Sequence, residues 1–257
     1  MIIFKYRDWK DLNHKKILLN LELYFNKPSD FNDPFDCQIT PNYKSLLNER
    51  NKQEFIYGEF CRFKQLPEMS TITWEYFKTK YEEHFEKPDY FFRECELNDL
   101  RFIDQRYGVA SFSTIWNSIL MWSHYGNKHQ GFCVGFDEEK FIKSRKYMNG
   151  GLVQYKNEFP DIEPNNKYDI ESLFKVTHNK AEHWKYEKEY RIVKLIKYEN
   201  DRIDSFPKEF IHEIILGLEI SNDDRKEILD FSKTNNIPLY QIIKKDREFR
   251  IERKKIF

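Results

Sequence analysis

Apolar positions are spread unevenly along this chain, and their clearest arrangement falls over residues 111–136. The apolar run at 107–112 predicts a strand ending in a Ser-Phe-Ser corner. Residues 116–125 have helical length, with Ile119, Leu120 and Trp122 available for burial, and Gly126 reads as the helix stop. The Gly-punctuated apolar segment 131–136 suits a central strand whose backbone passes close to another part of the chain. This strand, helix, strand block also holds serines, His124, Tyr125 and His129, more polar chemistry than a scaffold needs.

Upstream, 2–6 reads as a strand ending in Tyr6-Arg7, followed by a helix to about Asn20 and a short strand at 21–25. Prolines and Asx residues crowd 26–36, which marks a structured loop. Phe31 and Phe35 are expected to pin it to the core, while Asp33 and Asp36 either make Asx turns or line a cleft. Residues 41–106 place charge and aromatics at helical spacing with little glycine, predicting two or three helices that form an insertion or lid.

Downstream, the pattern predicts a helix at 137–148, a turn at 149–151, a strand at 152–155, a loop at 157–169 and a helix over 170–180. Around Glu189 the spacing changes from helical to alternating, so Glu187, Glu189 and Arg191 are expected on one face of an entering strand. Such a set is either a surface ladder of opposite charges or a carboxylate held by Arg191 and aimed into a cleft walled by Trp184 and Tyr186. Strands through 196, within 206–218, at 239–243 and at 249–251, with a helix at 221–235, complete the expected α+β domain with a mixed or antiparallel central sheet.

Composition narrows the function. At 257 residues the chain is long enough for one domain with a sizeable core. Lys plus Arg and Asp plus Glu balance at 43 each, so no global basic excess advertises nucleic acid, although local basic patches stay open. Aromatics at 17% point to a core built on ring packing. Cys37, Cys61, Cys95 and Cys133 are widely spaced and read as reduced, mostly buried thiols. Charge arrives already at Lys5, too early for a signal sequence or a membrane span, so a cytoplasmic location is expected. There is no G-x-G-x-x-G, no G-x-x-x-x-G-K-[ST] and no G-x-S-x-G around Ser111 or Ser113. His124 and His129, like His178 and His183, stand five apart, which on one helix points them about 140° from each other and makes a poor metal grip. No metal is expected.

Phe31-Asn32-Asp33-Pro34-Phe35-Asp36, Met121-Trp122-Ser123-His124-Tyr125, His129-Gln130-Gly131 and Trp184-Lys185-Tyr186-Glu187-Lys188-Glu189-Tyr190-Arg191 occur in an order that resembles a bacterial family, domain of unknown function twenty-nine seventy-one, over residues 2 to about 217. That family name implies no activity. The opening order of elements also resembles the first lobe of ADP-ribosyltransferases related to the DNA-modifying DarT toxins. This second resemblance implies an ADP-ribosyltransferase-like fold and NAD as substrate. Tyr6 and Arg7 would hold NAD, Ser111, Ser113 and Tyr125 would flank nicotinamide, and Glu189 would be the late-strand carboxylate. The chain departs from that group at the first position, where Thr-His or His is usual.

The residue types suit the chemistry. Cleaving the nicotinamide bond builds an oxocarbenium-like centre that a carboxylate such as Glu189, with Glu187 beside it, stabilises. Arg7 is suited to pyrophosphate, and Trp122 or Tyr125 to stacking on nicotinamide. Trp122 equally fits a core, and His124 is either an interior histidine or a proton shuttle. The expected activity is ADP-ribosyl transfer to a nucleic-acid or protein acceptor, in a defence or toxin setting implied by the resemblance alone. The alternatives are NAD or nucleotide hydrolysis, a magnesium nuclease using Asp33, Asp36, Glu187 and Glu189, and a non-catalytic sensor.

Overall fold

The computed structural model describes residues 1–144 and 146–257. The chain runs β1 (Ile2–Arg7), α1 (Leu12–Leu19), β2 (Glu22–Tyr24), α2 (Glu49–Phe63), α3 (Trp74–Glu82), α4 (Pro88–Arg106), β3 (Tyr107–Ser113), α5 (Ile119–Tyr125), β4 (Phe132–Asp137), α6 (Glu138–Lys143) and β5 (Asn149–Leu152). It continues through β6 (Gln154–Lys156), α7 (Ile170–Thr177), β7 (Asn179–Ala181), β8 (Glu189–Leu195), β9 (Ile203–Ser205), β10 (Ile211–Leu216), α8 (Asn222–Asn235), β11 (Leu239–Lys244) and β12 (Ile251–Lys255). Eight strands form one mixed sheet in the order β12-β11-β10-β4-β1-β3-β8-β5, with β10 and β11 parallel and the remaining pairs antiparallel. The fold is α+β, as the alternation of apolar positions implies.

One face of the sheet packs on α1, α6 and α8 through Ile17, Leu18, Phe141 and Ile228, with Trp9 set edge-on to Phe132 at 5.2 Å. The other face packs on α5 through Met121 and Trp122. Ring contacts recur through both layers, which is where the high aromatic content goes. Helices α2, α3 and α4 form a lobe with its own aromatic core around Tyr43, Phe55, Phe60, Phe77 and Phe92. No helix among the described residues is long and apolar enough to cross a membrane.

Several boundaries differ from expectation for identifiable reasons. The helix over 116–125 starts only at Ile119, because the Ser118 hydroxyl caps it by accepting from the Met121 amide and Trp122 Nε1 is tied back to the Trp116 carbonyl at 2.8 Å. The helix expected at 137–148 is confined to α6, and Arg145 lies outside the described residues. Residues 149–151 are not a turn: they begin β5, which pairs with β8 from Asn149↔Val193 to Leu152↔Tyr190. Phe35 does not pin its loop and is 64% exposed; Phe31 lies under the Arg191 guanidinium instead. Only Cys37 and Cys133 are buried, while Cys61 is exposed.

Two features of the sheet set up the cleft. β1 pairs with β4 along its whole length, Ile2↔Asp137 to Arg7↔Phe132. On its other side it meets β3 at Phe4↔Ser113 and the two strands then part, so the sheet splits at its centre. Downstream of α5 the chain makes a left-handed turn, with Asn127, Lys128 and His129 at φ 45°, 52° and 69°. The turn brings Gly131 against the end of β1, where a Cβ would overlap the Arg7 carbonyl oxygen, and a Cβ on Gly217 would likewise meet the His129 carbonyl. Gly131→Ala is expected to destabilise the fold by more than the ~1 kcal/mol typical of point substitutions, measurable as a lowered urea midpoint. A midpoint equal to wild type would show that the β1–β4 approach relaxes freely.

Candidate active site

The split between β1 and β3 opens into a cavity of about 160 Å³. Lys5, Tyr6 and Arg7 line it from β1, Ser111 and Ser113 from β3, and Tyr125 from α5. Asp36, Lys180, Glu187 and Glu189 close its far wall. Sequence positions more than 180 residues apart therefore share one small space.

Arg191 anchors that wall. It is fully buried, and its guanidinium is saturated. Nη1 and Nη2 donate to the two carboxylate oxygens of Asp36 at 2.8 and 2.6 Å, and Nε and Nη2 donate to those of Glu189 at 2.7 and 3.0 Å. Nη1 also donates to the Thr177 carbonyl at 2.7 Å and to Cys37 Sγ at 3.2 Å. Lys180 Nζ stands at the point that three carboxylates share, 2.6 Å from Glu187, 3.3 Å from Glu189 and 3.3 Å from Asp36. Burial would suppress the charge on Lys180, but these carboxylates outweigh it and raise its pKa.

The two glutamates are shifted in opposite directions. Burial alone would raise the Glu189 pKa; the charges of Arg191 and then Lys180 outweigh it and hold the carboxyl at about 2, so it stays ionised. Glu187 is pushed up, first by burial and then by Glu189, against the pull of Lys180. Its remaining oxygen accepts a 2.6 Å hydrogen bond from Tyr125. A buried carboxylate with a raised pKa, in contact with a phenol and an ammonium, is suited to taking and returning a proton.

Glu187 is not on the strand. It ends a 3-10 helix over Glu182–Glu187, and Lys188 at φ 47° reverses the chain before β8 begins. The register that puts it beside Glu189 is therefore absent, and Lys180 brings the two together instead. Other predicted residues are corrected by their surroundings. Trp122 is fully buried and packs edge-on against Tyr6 at 5.1 Å, in the core and outside the cavity. Arg191 has spent its donors on the protein and does not line the cavity. His124 is exposed, 6.2 Å from the Tyr186 ring, and Trp184 lies over Lys180 without lining the cavity.

Tyr6 lines the cleft, but its hydroxyl donates to the Ile115 carbonyl at 2.8 Å. The Ser113 hydroxyl donates to the Glu187 carbonyl at 2.6 Å and accepts from the Ile115 amide, which makes it a brace for the Glu187 backbone. Ser111 Oγ sits beside Glu189 without closing a well-formed hydrogen bond, and remains available to a ligand. No residue of 41–106 is among those that line the cavity. Sequence reasoning missed Lys5 and Lys180; for Lys5 the signal was a lysine in the middle of an apolar strand, Ile-Ile-Phe-Lys-Tyr-Arg.

Removing Asp36 takes one of the two carboxylates that neutralise the fully buried Arg191 and leaves Nη1 without its anionic partner, so Asp36→Ala is expected to lower the unfolding free energy by about 3 kcal/mol, read from urea denaturation. A loss below 1 kcal/mol would mean that solvent reaches the guanidinium. His178 adds a pH dependence. Burial, helped by the charge of Arg191, pulls its pKa from 6.5 to about 4. The folded state therefore resists a proton that the unfolded chain accepts, so this contribution is complete above pH 6.5 and is lost as pH falls toward 4. His178→Gln is expected to lose less stability over that window than wild type; an equal loss would place the effect elsewhere.

Neither a curated protein nor a solved structure matches this chain. One family model matches residues 121–192, a stretch that holds Tyr125, Lys180, Glu187, Glu189 and Arg191 but stops short of β1 and the loop carrying Asp36. Over that stretch the chain is similar to the family described as Protein of unknown function (DUF2971).

Proposed function

We propose that the cleft between β1 and β3 binds NAD and cleaves its nicotinamide bond, passing ADP-ribose to a nucleic-acid or protein acceptor. The observation that carries this reading is the lining of one cavity by a cationic strand end, Arg7, and by two carboxylates shifted in opposite directions, Glu187 upward and Glu189 downward. The C1′–N bond breaks with its electron pair leaving on nicotinamide, and positive charge develops at C1′. Glu189, ionised at any physiological pH, faces that charge. An acceptor O–H or N–H attacks C1′ and gives its proton to Glu187, whose raised pKa suits it to general-base work. Ser111 Oγ is free to hold a ribose or carboxamide group. Water in the acceptor's place would make the same cleft a hydrolase.

The nuclease alternative fits the wall less well. Asp36, Glu187 and Glu189 do converge, but the Lys180 ammonium fills the point they share, and Asp36 and Glu189 also share Arg191. A divalent ion there would have to displace a buried cation from three carboxylates.

Purified protein incubated with NAD, nucleic acid and cell lysate is expected to release nicotinamide and to label an acceptor. Glu187→Gln, which keeps the shape of the side chain, is expected to lower kcat about 10²–10⁴-fold with little change in KM. Tyr125→Phe is expected to raise the pH at which the activity rises, because it removes a hydrogen bond that stabilises the ionised Glu187 carboxylate; an unchanged or lowered pH would take Tyr125 out of the tuning of Glu187. No nicotinamide release from well-folded protein under any of these conditions sinks the transferase reading.

A further inference from the structure

Lys5 and Arg7 are the two cations of the cleft that the wall does not use. Both lie on one face of β1, separated by two residues and so by about 7 Å. Lys5 is only 4% exposed, yet its ammonium makes no ion pair among the described residues. It donates to the Ser111 carbonyl across the split at 2.6 Å and lies 5.0 Å from the centre of the Phe112 ring. Glu189, the carboxylate that acts on it most, is already held by Arg191 and Lys180. The Arg7 side chain makes no ion pair among the described residues either, and donates there only to the carbonyl of Tyr6 at 3.3 Å. The neighbouring Asp11 carboxylate is occupied in capping α1, accepting from the amides of Asn13 and His14. A buried lysine and a half-buried arginine that close no ion pair among the described residues are costly to keep, whereas a bound anion would meet both with charge-assisted hydrogen bonds.

Their position says what kind of anion. Arg7 and Asn26 line the cleft and also a second cavity of about 360 Å³ on the far side of the strand end. Asn26 is fixed at this junction by paired backbone hydrogen bonds to Val109, 3.0 Å each way. Ile17, Leu23, Ile203 and the ring of Tyr24 give the second space its apolar surface, among the polar and charged side chains of Asp11, Asn13, His14, Lys16 and Glu22. A ring and aliphatic side chains beside several hydrogen-bonding groups suit a nucleoside, whose base and ribose need both.

We propose that Lys5 and Arg7 cradle a diphosphate at the junction of the two cavities, and that the second cavity takes the distal nucleoside, so that the site selects a dinucleotide over a mononucleotide. The proposal builds on the preceding function for the chemistry in the first cavity, while the cradle itself is a matter of binding alone.

Calorimetric titration of the full chain with ADP-ribose, inorganic pyrophosphate and AMP tests it, with nicotinamide release from NAD followed in parallel. ADP-ribose is expected to bind, pyrophosphate to compete with it, and AMP to bind more weakly. Lys5→Met, which fits the buried site without a charge, should weaken ADP-ribose at least tenfold without lowering the thermal midpoint, and Lys5→Arg should restore part of that loss. Tyr24→Ala should weaken ADP-ribose but not pyrophosphate. Unchanged ADP-ribose affinity in well-folded Lys5→Met, or pyrophosphate that fails to compete, overturns the cradle. Equal losses for ADP-ribose and pyrophosphate in Tyr24→Ala overturn the second subsite. Lys5-dependent ADP-ribose binding without NAD cleavage would retain the cradle and remove the transferase. NAD cleavage with an unaltered KM in Lys5→Met would do the reverse.

Discussion

A guanidinium with no contact with solvent governs this molecule. Arg191 is enclosed by Asp36 from the loop after β2, by the Thr177 carbonyl at the end of α7 and by Glu189 on its own strand. Buried ion pairs add little net stability, because desolvation consumes most of their attraction, but each member makes the others indispensable. What the cluster supplies is position. It fixes three chain segments relative to one another, keeps Glu189 charged, and leaves Lys180 to tie in Glu187.

The opposite side of the cleft is organised in the other way. On the wall the Arg191 and Lys180 donors find carboxylate acceptors, while across the split Lys5 and Arg7 close no ion pair among the described residues. That asymmetry separates structural charge from charge kept for a ligand, and it arises from the sheet itself. Had β1 and β3 stayed paired along their length, as β1 and β4 do, Lys5 would have had no gap to reach across.

Strong periodicity made much of the scaffold legible. The opening strand, the glycine-punctuated run of β4 and the helix from 221 to 235 each appear in the residues and in the fold. The site was legible as a set of residue types gathered around Tyr125, Glu187 and Glu189, but its register was not. Lys188 leaves the strand through a left-handed conformation that nothing in Glu-Lys-Glu announces, and residues 149–151 look like a turn because glycine reads as punctuation until a neighbouring strand is known. The solitude of Lys5 was beyond reach for a different reason. Whether a buried amine has a partner depends on which carboxylates other segments have already claimed, and that is decided only in three dimensions.

The distance along the chain between Asp36 and Arg191 has a consequence for biosynthesis. These partners are 155 residues apart. At ribosomal rates of about 5–20 residues per second, Asp36 and its loop wait roughly 8–30 s before the arginine that encloses them has been made. For that interval the nascent chain holds a carboxylate destined for the interior with nothing to neutralise it, and the cleft does not yet exist. An activity built on this wall would be silent in every truncated or stalled product and would arise only once the distant strand had docked.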